Sequence, residues 1–184
     1  MTDARARRSR EAIKDALLDL LGTRQLASIT MSELARAAHV SRSTLYAHFG
    51  NVQEAYEELA YDFTARIPPL EAFVGCEGCA ARRLDAQPFC VAIRNAGKYL
   101  PLVRDTRFLP TLFERVEAGA YASEMVATYR AAGLEEAHAR AMLRFQLSGC
   151  YAVALSGVRA EDWPRLQQSI DTFIMGGIGA LRTR

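Results

Sequence analysis

An all-α fold is what this chain of 184 residues predicts, and three observations carry it. Apolar residues recur at helical spacing over most of the length, no stretch alternates with the period of a strand, and N-cap residues, glycines and prolines punctuate the helical stretches. Half the residues are hydrophobic, which separates the chain from a disordered tail. Its length suits one compact unit or a small domain fused to a larger one. The opening residues MTDARARRSREA carry charge with no apolar run behind them, and nothing approaches the ~18 apolar residues of a membrane span. A cytoplasmic protein is therefore expected.

The first helix is predicted from Ser9 to Leu21, with Ile13, Ala16, Leu17, Leu20 and Leu21 on one stripe and Gly22 as its stop. Leu26 and Ile29 are expected to seal a core between it and the next two helices. Thr30 and Glu33 form a capping box that starts a helix of about two turns, with Met31, Leu34, Ala35 and Ala38 inward. His39 and Val40 interrupt it. Ser41 caps a third helix that buries Leu45 and Phe49, which leaves Arg42, Ser43, Thr44, Tyr46 and His48 as donors with no interior partner. A short helix with that division of faces suits the major groove of DNA. Residues 1–50 also hold eight basic against five acidic residues, with Arg5, Arg7, Arg8 and Arg10 clustered. Such an arm suits phosphate neutralisation, and equally a solvated terminus.

Asn51 and Glu54 cap a fourth helix to about Ile67, ended by Pro68-Pro69, which mark the boundary between an N-terminal and a C-terminal domain. Residues 70–87 read as loop or short helix. A helix follows from Pro88 to about Tyr99, ended by Pro101; another runs from Pro110 to Ala132, with Gly133 as its stop. Leu134 to Ser156 is a second long segment, and Asp162 with Pro164 opens the last helix, to about Leu181. Its IMGGIGAL stretch either frays or allows a second helix to pack closely, since each glycine costs a helix ~1 kcal/mol against alanine.

The run ITMSELARAAHVSRSTLYAHF, followed by Asn51 and EAYEEL, resembles the DNA-binding domain of the TetR family of bacterial transcriptional regulators over residues 8 to 60. The resemblance implies residues 1–50 as the helix-turn-helix domain, 51–67 as a connecting helix and 68–184 as a helical ligand-binding and dimerisation domain. It implies a dimer on a near-palindromic operator, bundled through the last two long helices and released by a small-molecule effector. DNA contact is then expected of Thr30, Arg42, Ser43, Thr44, Tyr46 and His48. Two positions depart from the family pattern: His39 stands where glycine is common in the turn, and Val52 where a phosphate-gripping lysine is common.

The C-terminal half shows no Ser-His-Asp order, paired acids or phosphate loop, so no enzyme activity, cofactor or metal is expected. Tyr99, Phe108, Phe113, Met125, Tyr129, Met142, Phe145 and Tyr151, with Gln146 as a polar anchor, are candidates to line a ligand cavity or simply to pack a core. Cys76 and Cys79 form a CxxC, Cys90 and Cys150 stand apart, and a thiol- or metal-sensing role for Cys76 and Cys79 is the alternative to an organic effector.

Overall fold

The computed structural model of the chain describes residues 2–66 and 89–182. The expectations for Pro68-Pro69, for residues 70–87 and for Cys76 and Cys79 lie outside them. Among the described residues the regular structure is entirely helical, as the periodicity predicts. Two compact units divide the chain: Met1–Arg66 with Gly97–Thr111, and Ile67–Ala96 with Leu112–Arg184.

In the first unit α1 spans Thr2–Leu21, so the helix starts well before Ser9 and takes in the arginine cluster. Ile13, Ala16, Leu17 and Leu18 are buried, while Leu20 and Leu21 are half-buried. A 3-10 turn, Leu26–Ser28, turns Leu26 inward, and Ile29 follows it into the core. Helix α2, Met31–Ala37, opens on the predicted capping box: Thr30 Oγ1 accepts the Glu33 N–H at 3.2 Å, and Glu33 Oε2 accepts the Thr30 N–H at 2.9 Å. Helix α3 is Arg42–Tyr46 and α4 is Val52–Arg66. Asn51 Oδ1 accepts the Glu54 N–H at 2.9 Å, and the Glu54 carboxylate reaches back to the Gly50 N–H at 2.7 Å, so the cap closes one residue earlier than a standard box.

The return of Gly97–Thr111 to this unit is not legible in the periodicity. The helix expected to run from Pro88 to Tyr99 stops early, as α5, Phe89–Arg94. Gly97 takes a left-handed φ of +56°, a 3-10 turn covers Gly97–Tyr99, and α6, Leu100–Arg104, begins there. Pro101 therefore opens a helix instead of ending one, since the first turn needs no N–H from it. The Tyr99 ring packs tilted on Phe63, centres 5.5 Å apart, and Phe63 meets Phe108 edge-on at 5.6 Å.

In the second unit the single helix expected from Pro110 to Ala132 is two. Helix α7 is Phe108–Glu117 and α8 is Ala120–Ala131. Gly119 breaks them in an extended conformation, φ −89° and ψ 165°, as N-cap of α8. A glycine weakens a helix interior and tolerates a cap, so the break falls there. Gly133, at φ +96°, ends α8 as predicted, with the Leu134 N–H on the Tyr129 carbonyl at 3.2 Å. Helix α9, Glu136–Ala154, packs on α5 and α8, and α10 spans Trp163–Arg182. The Arg94 guanidinium lies 4.5 Å from the Trp163 ring and donates to the Val158 carbonyl. The glycines of IMGGIGAL do not fray α10: helix continues to Arg182.

Candidate nucleic-acid interface

Between α2 and α3 the chain makes a four-residue turn whose geometry His39 decides. The His39 N–H donates to Arg36 at 3.2 Å and the Val40 N–H to Ala35 at 3.0 Å, the two crossed bonds of a Schellman motif. That motif needs a left-handed residue, and His39 supplies it at φ +53°, alone among the described non-glycine residues. Val40 then leads to Ser41, whose Oγ accepts the Thr44 N–H at 3.0 Å and lies 2.8 Å from the hydroxyls of Ser43 and Thr44. Helix α3 starts at a fixed angle because both flanking residues are specified.

The two faces of α3 separate cleanly. Leu45 is fully buried and Phe49 nearly so, while Arg42, Ser43 and Tyr46 are exposed and Thr44 and His48 half-exposed. Tyr46 holds half its surface, 51%, in solvent, which a core tyrosine does not. His48 lies in the turn after Tyr46, beyond the last helical residue, and Phe49 packs from the same turn. Thr30 is exposed at the start of α2, but its hydroxyl already donates to Glu33 Oε2 at 2.8 Å. Arg24 holds the same carboxylate at 2.7 Å and the Ser28 carbonyl at 2.6 Å. The Arg24 guanidinium and the Thr30 bonds together hold Glu33 at a pKa of about 2, far below the usual carboxylate.

The arginine cluster divides. Arg5, Arg7 and Arg8 are exposed, whereas Arg10 and the buried Lys14 turn toward α4. Lys14 meets Glu11 at 2.6 Å and Asp62 at 2.5 Å. Burial opposes its charge, and the bonds to Asp62 and Glu11 outweigh burial, so its pKa is raised.

In the second unit an apolar groove of about 660 Å³ runs between α9 and α10. Tyr129, Met142, Phe145 and Gln146 line it as expected, joined by Phe173 and Ile174, which periodicity alone did not single out. The Tyr129 hydroxyl donates to Gln146 Oε1 at 2.7 Å, both side chains buried. Phe113 and Met125 are buried in the core of this unit, Phe113 edge-on to Tyr151 at 6.4 Å, and do not line the groove. Tyr99 belongs to the other unit. Phe145 and Phe173, 65% and 71% exposed, leave the groove's rim bare. Cys150 also lines it, its thiol pushed up to about 12 by burial. Among the described residues no cluster of His, Cys, Asp and Glu could hold a metal, and no helix is long and apolar enough to cross a membrane.

Helices α1 to α3, with a specified turn and an exposed polar face on α3, define a helix-turn-helix protein. Residues 13–59 match the model of the bacterial regulatory proteins of the tetR family. Over these residues the chain is similar to the DNA-binding domain of that family. It is 50% identical over 58 residues to the HTH-type transcriptional regulator AlkX of Mycobacterium tuberculosis, a match covering 32% of this chain and 28% of that protein. It is 36% identical over 66 residues to the uncharacterised HTH-type transcriptional regulator YxbF of Bacillus subtilis, covering 35% of this chain and 17% of that one. The matches thus span less than a third of either curated relative. Among solved structures, the TetR family repressor AlkX of a Dietzia strain, implicated in biodegradation of n-alkanes, is 23% identical over 94% of this chain and 97% of that one. Its TM-score is 0.33.

Proposed function

We propose that the protein is a DNA-binding transcriptional repressor that sits on a near-palindromic operator as a homodimer and is released by a small-molecule effector. The observation that carries the DNA reading is α3, which buries Leu45 and presents Arg42, Ser43 and Tyr46 to solvent. Arg42 has the fork to bind guanine O6 and N7, and Tyr46 a hydroxyl on a stiff arm. Ser43, Thr44 and His48 flank them, and Thr30 sits at a helix N-terminus suited to a phosphate. Two such helices about a two-fold axis read half-sites ~34–36 Å apart.

The bare rim of the α9–α10 groove supports the dimer reading. Two phenylalanines more than half exposed on adjoining helices, beside glycines with open space around them, suit coverage by the same helices of a second copy. The inner end, where Tyr129 and Gln146 supply polar atoms in an apolar wall, suits the effector. Release then follows from effector coupling through α4 to the spacing of the two α3 helices, for which ~1–3 kcal/mol is enough.

A gel shift against DNA flanking the protein's own gene tests the reading. Binding is expected, with Arg42→Ala costing ~1–3 kcal/mol and relaxing the preferred base at one position. Unaltered affinity in Arg42→Ala and Tyr46→Phe would reject α3 as the reading helix.

A further inference from the structure

Arg10 belongs by sequence to the basic cluster suited to phosphate, yet its guanidinium, on a side chain 42% exposed, is bonded to a carboxylate of its own domain. Its Nε donates to Glu58 at 2.7 and 3.0 Å and its Nη2 to the same carboxylate, while the guanidinium carbon lies over the Phe49 ring, 4.8 Å from its centre. Lys14, one turn on, meets Asp62, one turn on from Glu58. Both pairs are separated by 48 residues, which is possible only if α1 and α4 run parallel in one register. Lys14 also reaches Glu58, at 3.4 Å, so the two cations share a three-carboxylate strip with Glu11 and Asp62 on either side.

Phe49 gives this arrangement its consequence. It is buried, it closes the segment that begins with α3, and its N–H bonds the Leu45 carbonyl at 2.9 Å. A single planar cation therefore joins three parts: α1, which carries it; α4, through the fork; and the end of the α3 segment, through its place over the Phe49 ring. Lysine offers neither fork nor flat face.

We propose that Arg10 is a positioning residue for DNA binding, which sets the seat of α3 through Glu58 and Phe49 and does not act on phosphate. This rests on α3 being the reading helix. The test compares wild type, Arg10→Lys, Arg10→Gln, Glu58→Gln and each Arg10 variant combined with Glu58→Gln on one duplex taken from upstream of the protein's own gene, across a salt series, with amide exchange at His48 and Phe49. A positioning role predicts that Arg10→Lys and Arg10→Gln both lose about tenfold in affinity, the size common for residues in contact, at every salt concentration. The salt slope stays unchanged, Glu58→Gln adds nothing to either loss, and exchange at His48 and Phe49 quickens.

Full affinity in Arg10→Lys, with a slope reduced by ~0.9 in Arg10→Gln, would make Arg10 a phosphate ligand and overturn the proposal. A lowered melting point with affinity and exchange at Phe49 unchanged would overturn it too, leaving Arg10 a stability residue. A wild-type chain that binds no duplex defeats the DNA reading, and this role with it. A wild type that binds beside an Arg10→Lys that binds equally well defeats this role alone.

Discussion

Arg24 Nη1 lies 2.7 Å from Glu33 Oε1, on the same carboxylate whose other oxygen accepts the Thr30 N–H and closes the capping box. One side chain thus ties the loop after α1 to the first turn of α2. The carboxyl is held at about 2 in the folded chain, against about 4.5 ordinarily. A depressed carboxyl stabilises the fold above its unfolded pKa, and that contribution is lost as pH falls through the folded value. The expected result is that Glu33→Gln flattens the fall in thermal midpoint between about pH 4.5 and 2, measured beside wild type. Parallel curves would show that the ion pair and cap do not couple to folding.

His39 holds a conformation that L side chains adopt at a cost of ~1–2 kcal/mol, of which glycine's extra chain entropy returns ~0.5–1 kcal/mol. His39→Gly should therefore stabilise the first unit by ~0.5–1 kcal/mol in urea unfolding. His39→Val, β-branched at a left-handed position, should destabilise it. A destabilised glycine variant would mean that the imidazole makes a contact worth more than the strain.

Val52 is the first residue of α4, half-buried beside the Asn51 cap. If α4 meets the duplex at its N-terminus, Val52→Lys adds one phosphate contact and steepens the salt dependence of binding by roughly one unit. An unchanged slope would place the start of α4 away from the backbone.

Phe173 and Gly177 report on the α9–α10 face from opposite directions. Phe173→Asp should turn a sedimenting dimer into a monomer of unchanged helix content. A Cβ at Gly177 meets nothing within 4 Å in its own chain, so Gly177→Ala favours the helix by ~1 kcal/mol. Against a closely packed second copy the same methyl should weaken association. A Gly177→Ala dimer as tight as wild type would place the seam elsewhere on the chain.

The helix-turn-helix was legible almost residue by residue, because its signals are local. The Thr30–Glu33 box, the Ser41 cap, the Asn51–Glu54 cap and the left-handed His39 each depend on residues within four positions. The second half was read less well for the same reason. Pro101 and Gly119 permit either a continuation or a break, and neighbours distant in sequence decided between them. The pocket candidates shared one composition but not one place: Tyr129, Phe145 and Gln146 meet at a groove, Phe113 and Met125 fill a core, and Tyr99 packs on Phe63.

By itself the sequence determined the helical class, the caps, the turn and the two faces of α3, since these follow from spacing and from bonds within a turn or two. Only the tertiary structure decided where long-range partners fall. It took Arg10 and Lys14 out of the basic arm by aligning α1 with α4 at a separation of 48 residues. It brought Gly97–Thr111 back to the first unit and left Phe145 and Phe173 bare. The physical reason is that a side chain's partner across such a separation depends on how helices align, and no local preference encodes that.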